Sequence, residues 1–560
     1  MNFKIADSKF KELLLPTLLI VMALNISSVV DSFFVGAYIG KNAVAAIEVL
    51  EPMILLITVV EWLFGLGGQI LALNKKSEFD TEGSNRYFTA SIVSSLVVSC
   101  ILAIVCIFFM GPLTNLLGAT HATKPLVMEY SHGLYGCFVV STIAGVLTQY
   151  IRVDGQPNFA SVVIIVANII NVIFDFVFLD LMSLGMAYAS LATFIGYSVG
   201  IIICIKYFRD PKRTFLFTKS ALKIKTWIKT TWEMTKVGFP GASIGLFDLI
   251  FVYILNLFLV STLGDTGLTT YMICMDALVI ASIIDIGIAE TLTSIVPIYY
   301  TKHDYLNLNH LIKTSLTITV IFASLLVAFF WIWPQGFLAL YGFNNSDIAG
   351  FIINALRLYS IFFVASILPN MLIFYYEAIE RSTISTIFSI IFTLVMPLSC
   401  IYLLYQFIGS NGIWIAFTVA SIITFAIIFI TVMAIQKRDK KYSGLFFIEK
   451  DLIPKTRNYV LTDNDVAARE ESLQHLKSLN ASDEFCDNVN KMFDAIFDTN
   501  EHGTYVEMLV IDYDDNIHVD VKYDGEKENL EAIKKKFPEN LFKYAEVLGF
   551  NNIEYVMDKS

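Results

Sequence analysis

Charged residues are scarce in this chain of 560 residues, at 16%, whereas hydrophobic residues make up 56%. A soluble domain of average composition is about 25% charged, so an entirely soluble protein is excluded. The seven cysteines show no C-x-x-C spacing and six lie in apolar runs, so we interpret them as small core residues. No basic patch is interleaved with aromatic residues, which argues against a nucleic-acid partner.

The apolar residues are concentrated in residues 1–440 and form twelve runs long enough to cross a membrane, which takes about 20 residues. These runs are centred in 11–36, 43–73, 88–112, 124–149, 158–180, 184–207, 237–262, 267–298, 308–339, 350–376, 383–408 and 411–435. Lys and Arg are frequent in every second loop and rare in the others, which predicts that both termini are cytoplasmic. We therefore expect a multi-pass protein embedded in the lipid bilayer of the cell membrane.

Two internal matches indicate that the membrane region is a repeat. "FFVGAYIGKNAVAAI" (33–47) resembles "FLVSTLGDTGLTTYM" (258–272), and "QYIRVDGQPNFAS" (149–161) precedes "YYEAIERSTISTI" (375–387) by the same offset of about 225 residues. Parallel repeats of this kind are typical of transporters, with the substrate site between the two halves near the midplane.

The tail differs in composition from the rest of the chain. Residues 451–560 carry 24 acidic and 12 basic residues, so the acidic balance of the protein belongs to them. "SDEFCDNVNKMFDAIFDTNEHG" predicts an amphipathic helix, and "YVEMLVIDYDDNIHVDVKYDG" predicts two alternating strands joined by a turn.

The predicted fold class is an all-α polytopic membrane protein with 12 transmembrane helices in two six-helix repeats, followed by a small soluble α/β domain. The expected order is an N-terminal bundle, a basic cytoplasmic loop between the bundles, a C-terminal bundle, a charged linker and the α/β domain. Their ranges are 1–208, 209–236, 237–436, 437–458 and 459–560.

One face of the fifth predicted span is polar. Asn168, Asn171 and Asp175 lie at i, i+3 and i+7, so they share a helix face. An ionisable residue deep in a bilayer costs about 2.5–3.5 kcal/mol on insertion scales, which requires partners or water. Asp31 in the first span and Thr193 in the sixth offer further oxygen atoms.

Several interpretations of this cluster are open. Two acids, an amide and a hydroxyl can surround one monovalent cation, or the two acids can hold a proton because they resist simultaneous ionisation. Alternatively, each acid is a hydrogen-bonded packing residue. At the repeat offset the second half has Asn256, Met396 and Cys400 and so lacks the cluster. Asp248, eight residues past Pro240 and well inside an apolar run, is a candidate for a direct role in transport in that half.

Four segments resemble signatures of the multidrug and toxic compound extrusion (MATE) family of transporters, over residues 8–440. "VVDSFFVGAYIGKNAVAAI" is similar to the first-helix motif and "NIINVIFDFVF" to the fifth-helix Asn-x-x-x-Asp. "GMAYASLATFIGYSVG" is similar to the sixth-helix pattern and "VGFPGASIGLFD" to the start of the second half. A modified Ser-Gln-x-x-Gly stretch after the second helix leaves the branch and the coupling ion open.

The resemblance implies a secondary active antiporter that works by alternating access, and not an enzyme. It implies export of organic cations or amphiphilic small molecules in exchange for sodium ions or protons, with no other cofactor. Matched to the family motifs, Asp31, Asn171, Asp175 and Thr193 form the coupling site, and they are the metal ligands if the ion is sodium. Asp248 lies where some branches place a coupling acid.

The tail is similar to the ATP-binding fold of anti-sigma-factor kinases and histidine kinases. The Glu-x-x-x-Asn-x-x-x-His run of that family corresponds to Asp494, Asp498 and His502, and its Asp-x-Gly contact ends at Gly525, with Tyr523 in place of the acid. No Gly-rich phosphate loop follows, so we interpret the nucleotide pocket as degenerate. The domain is expected to regulate the transporter or to dock a cytoplasmic protein partner.

Two alternatives remain open. A membrane sensor or regulatory protein that uses the tail would need an intact nucleotide pocket and a phospho-acceptor, for which His475 is the candidate. A lipid-linked oligosaccharide flippase shares the architecture but more often has a basic cavity, and no Lys or Arg is expected deep in any helix. The acids of the first and fifth spans favour the ion-coupled exporter.

Overall fold

The computed structural model describes residues 4–117, 119, 123–210, 213–339, 348–463, 465–500, 504–524, 527–537 and 542–559. His502 and Gly525 of the predicted nucleotide pocket lie outside the described residues. Twelve helices in the described part are long and apolar enough to span a membrane, which confirms the number predicted from the sequence. Helices suit this region because each one satisfies its own backbone hydrogen bonds in lipid.

The first half contains six spans. Its second span continues through a π-helical segment (Trp62–Leu66), and its fifth ends in another (Phe176–Leu181). The helices are α1 (Lys4–Tyr38), α2 (Lys41–Glu61), α3 (Gly67–Ser77), α4 (Thr81–Leu116), α5 (Lys124–Val153), α6 (Pro157–Asp175) and α7 (Met186–Phe208).

The second half also contains six spans. Its first two belong to one long helix, which Gly264 (φ 61°, ψ −150°) divides. A π-helical segment (Ile391–Val395) interrupts the fifth span of this half. The helices are α8 (Ile224–Thr301), α9 (Tyr305–Ile332), α10 (Pro334–Ala339), α11 (Ala349–Ser360), α12 (Phe362–Ala365), α13 (Ile367–Ala378), α14 (Ser382–Ile390), α15 (Met396–Ile408) and α16 (Ser410–Arg438).

The start of α8 corrects the predicted basic loop between the bundles. Residues 224–236 of that range are helical, because α8 begins at Ile224. Trp227 Nε1 donates a hydrogen bond to Ser94 Oγ at 3.0 Å, so this basic segment packs along α4. Its lysines indicated a loop, but lysine is a good helix former.

Several turns of the first half have counterparts in the second half, about 225 residues further along the chain. Phe79 and His303 both have positive φ, and each is followed by an aspartate whose side chain caps the next helix. Asp80 accepts a hydrogen bond from the Gly83 N–H at 2.8 Å, and Asp304 accepts one from the Asn307 N–H at 3.3 Å. Two further pairs of positive-φ residues at the same offset are Gly155 with Glu380 and Ser183 with Gly409.

The tail folds as a domain of helices and strands, and the predicted helix and strand pair are present. Its sheet is antiparallel with helices on one face, which is an α+β arrangement, but we keep the name α/β domain for it. The elements are β1 (Tyr442–Ser443), β2 (Ile448–Glu449), β3 (Thr456–Leu461), α17 (Val466–Ser478), α18 (Asp483–Thr499), β4 (Val506–Asp512), β5 (Asn516–Asp524), α19 (Lys527–Lys536), β6 (Phe542–Val547) and β7 (Phe550–Asp558). The antiparallel sheet has the strand order β3-β4-β5-β7-β6. The predicted linker 437–458 is partly structured, because it holds two short strands and the start of β3.

The two faces of this sheet have different neighbours. One face packs on α17, α18 and α19 through alternate residues such as Val519 and Val521. The other face, which we call the docked face, lies on the end of the helical bundle, where Leu509, Val547 and Phe550 join the main core of the membrane region. We call that end of the bundle the domain side.

Candidate functional site

Helices of the first half bring the predicted coupling residues together. Asn171 Nδ2 donates to Asp175 Oδ2 at 3.3 Å and to Thr193 Oγ1 at 3.2 Å, and its Oδ1 accepts from Ser27 Oγ at 3.3 Å. The amide therefore connects α1, α6 and α7. Asp31 of α1 completes the set, since its side chain interacts with that of Asp175.

Small residues allow these helices to approach. A Cβ atom on Gly196 of α7 would lie 2.4 Å from the carbonyl oxygen of Ala167 and 3.2 Å from the Asn171 Cβ. The glycine therefore permits close packing of α6 against α7, as small residues do between transmembrane helices. Asn168, one turn before Asn171, is also buried.

Two oxygen atoms of the cluster accept no hydrogen bond from the side chains that the structure describes. They are Oδ1 of Asp31 and Oδ1 of Asp175, and both are buried, although buried polar atoms are normally hydrogen-bonded. Within the described ranges, no group of three or more His, Cys, Asp or Glu side chains is placed to hold a metal. Two carboxylates with an amide and a hydroxyl offer hard oxygen ligands, which suit a hard cation, and the two carboxylates can also share a proton.

The second half has a different acid–amide pair. Asn370 Nδ2 donates to Asp285 Oδ2 at 2.6 Å, which joins α13 to α8. Asp285 was visible in the sequence as an acid within an apolar run, but nothing in the spacing linked it to Asn370, 85 residues away. The side chain of Asp248 is exposed and lies near Tyr271 and Tyr359.

Buried polar contacts join the two halves on the domain side. Arg152 Nη1 of α5 lies 2.7 Å from Glu290 Oε2 of α8, and only 3% of Arg152 is exposed. Gln69 Nε2 of α3 donates to Ser294 Oγ at 3.1 Å, again between the halves. Both sides of the Gln69–Ser294 contact are buried, so the domain side is closed.

Arg357 corrects the prediction that no Lys or Arg lies deep in a helix, because it lies eight residues inside the span Ala349–Ala378. Arg152, assigned to a loop, instead lies in the last turn of α5, where the carboxylate of Glu290 compensates its charge. A paired charge is tolerated in a membrane helix, and hydropathy alone does not detect the partner.

The structure places the described part of the predicted nucleotide pocket as follows. Asp494 Oδ1 lies 2.6 Å from Arg469 Nη2 of α17, so it is engaged in an ion pair between helices. Asp498 is exposed on α18, and Tyr523 is fully buried in the domain core. His475 lies half-buried on α17, and its burial lowers the pKa of its ring.

Comparisons with known proteins concern the membrane region. Residues 16–177 match the family model described as MatE. The chain is 24% identical over 306 residues to the multidrug export protein MepA of Staphylococcus saprophyticus, covering 54% of this chain and 67% of that protein. It is 23% identical over 299 residues to MepA of Staphylococcus haemolyticus, covering 53% and 65%. About two thirds of each relative is therefore matched.

Solved structures share the fold of the membrane region. A point mutant of the Vibrio cholerae MATE transporter VcmN superposes with a TM-score of 0.72 at 17% identity, covering 80% of this chain and 99% of that one. A transporter of the MOP superfamily from Pyrococcus furiosus gives a TM-score of 0.72 at 20% identity, covering 78% and 97%. The described helices therefore have the same overall arrangement as in these transporters.

Proposed function

The chain is a transporter of the MATE family, and from this premise we propose that it exports organic cations or amphiphilic compounds in exchange for an ion. Members of the family are transporters and not enzymes, and the twelve spans make this chain a multi-pass membrane protein. The two staphylococcal relatives support the proposal, since both are named multidrug export proteins. The coupling ion is sodium or a proton.

The cluster in the first half is the observation that carries the coupling. Within the described part of the chain, Asp31 and Asp175 each keep one buried oxygen that accepts no hydrogen bond. A sodium ion held by these oxygens with Asn171 and Thr193, or a proton on one carboxylate, lowers the cost of keeping two acids together. Occupation of the cluster by the sodium ion or the proton therefore favours closer packing of α1, α6 and α7.

Alternating access follows if this packing changes the affinity for the exported compound. A ligand shifts an equilibrium between two conformations only by its difference in affinity for them. Ion binding to the cluster favours one conformation, the compound favours the other, and the ion gradient supplies the bias. We place Asp248 as a second candidate for coupling, in the other half.

We propose that the domain side faces the cytoplasm. The supporting observation is the charge of its helix ends and loops, because Lys and Arg accumulate on the cytoplasmic side of membrane proteins. Basic residues that lie on this side are Lys75, Lys76, Arg86, Arg152, Arg209, Lys302, Arg381, Lys437 and Arg438. Both termini then lie in the cytoplasm.

The test is ethidium efflux from cells or vesicles in which sodium and proton gradients are imposed separately. We expect gradient-driven efflux in the natural sequence, and a loss of more than about tenfold in Asp175→Asn, since coupling free energies of this kind are worth about 5–150-fold. Asp180→Asn is the matched control, because the same change is made near the end of the same span.

The two gradients identify the ion, because only the coupled one drives efflux. The proposal is wrong if efflux ignores both gradients and is unaffected by Asp175→Asn. In that case Asn171 and Asp175 are packing residues, and the lipid-linked oligosaccharide flippase becomes the better assignment.

A further inference from the structure

A cluster of buried charges lies between the docked face and the membrane region. Lys522 Nζ of β5 is 2.8 Å from Asp304 Oδ2, and both side chains are 1% exposed. Lys302 Nζ is 2.6 Å from Glu554 Oε2 of β7 and 3.5 Å from Asp520 Oδ1 of β5. Lys302 and Asp304 belong to the turn between α8 and α9, so these pairs attach the domain to the second half.

Removing such charges from water is unfavourable unless each one meets a partner of opposite charge. Burial alone would lower the pKa of Lys522, but the neighbouring Asp304 and Asp520 raise it above its ordinary value. Lys522 therefore stays charged in the interface. Charges paired in this way specify one orientation of the domain on the bundle, because a shifted domain would leave them unpaired.

The linker adds contacts to the same half. Tyr300, Tyr375 and Tyr376 each donate a hydroxyl hydrogen bond to a backbone carbonyl that follows α16, at 2.8–3.1 Å. The accepting carbonyls belong to Phe447, Phe446 and Leu445. The chain that leads to the domain is thus held against α8 and α13.

The docked face also contacts the first half. Lys9 Nζ of α1 is 3.3 Å from Asp524 Oδ1 and 3.4 Å from the carbonyl oxygen of Gly549. The turn between β6 and β7 touches the turn between α5 and α6, where a Cβ on Gly155 would lie 2.6 Å from the Gly549 Cα. The domain therefore spans both halves of the transporter.

The two halves meet under the domain. Besides Arg152–Glu290 and Gln69–Ser294, His310 Nε2 of α9 lies 2.7 Å from Asp7 Oδ1 of α1. In a transporter built from two bundles, opening one side moves the bundles apart on that side. A rigid domain that is attached to both bundles opposes this movement.

We propose that the α/β domain is a clamp that holds the domain side of the transporter closed, and that it must leave at least one half before this side can open. The docked face is then unavailable to another protein while the clamp is in place. The inference requires alternating access but not the identity of the exported compound.

The test measures the accessibility of one cysteine between the halves. Ser294→Cys is placed in a full-length chain whose seven native cysteines are replaced, and its reaction with a maleimide is followed in lipid nanodiscs. We expect Lys522→Met to accelerate labelling by about fivefold or more, and Lys491→Met to leave it within about twofold. Lys491 is the matched control because it pairs with Asp487 on α18, away from the docked face.

A second variant separates loss of the clamp from damage to the fold. Lys522→Met with Asp304→Asn removes one charge of each sign and keeps a residue that can cap α9, so labelling should return toward that of the parent. Hydrogen exchange of β5 and β7 in the same samples reports whether the docked face is released.

Two results would overturn the proposal. The first is fast exchange of the docked face with unchanged labelling of Ser294→Cys, since the domain would then cover the transporter without restraining it. The second is continued protection of the docked face from hydrogen exchange when Lys9, Lys302 and Lys522 are all changed to Glu. Because labelling needs no exported compound, either result is independent of the efflux assay.

Discussion

The turn after α3 and the turn after α8 are built alike, yet the α/β domain pairs with the second. In each, a residue with positive φ precedes an aspartate that caps the following helix. Asp80 of the first turn is half-buried, whereas Asp304 of the second is buried against Lys522. The same local structure therefore supports a helix cap in one half and a docking site in the other.

This comparison separates what the repeat provides from what each half has acquired. The frame of helices and turns is common to both halves. The first half carries Asp175 where the second has Cys400, and the second half carries the docking turn. Positions where equivalent residues differ are thus the places to look for function, and the predictions below alter one half at a time.

The largest contrast is expected between Asp304→Ala and Asp80→Ala. Loss of a cap costs about 1 kcal/mol, and this is the whole expected effect at Asp80. Asp304→Ala should lower the free energy of unfolding by about 3–5 kcal/mol, because it also removes the carboxylate that pairs with the buried charge of Lys522. Thermal unfolding of the purified chain measures both.

A double-mutant cycle assigns this difference to the domain. In a Lys522→Met background no lysine charge is left at that position, so Asp304→Ala should cost little more than Asp80→Ala. Equal effects of the two alanine changes in the natural sequence would mean that the Asp304–Lys522 pair adds nothing to the cap.

A smaller contrast is expected between Gly155→Ala and Glu380→Ala. Both positions have positive φ, at 86° and 60°, but the glycine lies against Gly549 and has no room for a Cβ. Gly155→Ala should cost about 1–3 kcal/mol through backbone strain and should speed hydrogen exchange at the β6–β7 turn. Glu380 already carries a Cβ and its replacement by Ala keeps it, so hydrogen exchange at the β6–β7 turn should not change.

The smallest effect concerns pH at the docked face. Burial and the nearby charge of Asp304 raise the pKa of Glu507 to about 7, although Lys522 and hydrogen bonds from Asn307 and the Ile5 backbone oppose the shift. An undocked face is exposed to water, so the docked state binds the proton more tightly. Glu507 therefore supports docking most at low pH, and this support is lost as pH rises through about 7.

Hydrogen exchange of β4 and β5 between pH 5 and 8 checks this, after correction for the intrinsic rate. Glu507→Gln has no carboxylate to titrate, so its docking should vary less with pH. If hydrogen exchange depends on pH in the same way in the natural chain and in Glu507→Gln, another group controls docking. Asp80→Asn in the first half should leave the profile unchanged.

Much of this molecule is predictable because its signals are local. Long apolar runs predict the twelve spans, since each must cross the same thickness of lipid. Asn171 and Asp175 share a face by helical spacing alone, and the family resemblance adds Asp31 and Thr193. The alternation of apolar residues likewise predicts β4 and β5.

The docked face could not be predicted from such signals. His518, Asp520, Lys522 and Asp524 alternate with apolar residues along β5, which is the pattern of a strand with one face in water. Asp520, Lys522 and Asp524 have partners more than 200 residues away in the membrane region, as Asp304 is from Lys522. The pairing of Arg152 with Glu290 was missed for the same reason, because only the folded chain brings these two residues together.

The bond between Gln69 and Ser294 has a consequence for the symmetry of the two halves. These residues are 225 positions apart, which is the repeat offset, so each contacts its own counterpart in the other half. In a dimer of identical six-helix units this position would face a copy of itself. A long amide that donates to a short hydroxyl is an unequal pair, and identical subunits cannot encode it. This contact is therefore available only to two halves whose sequences differ.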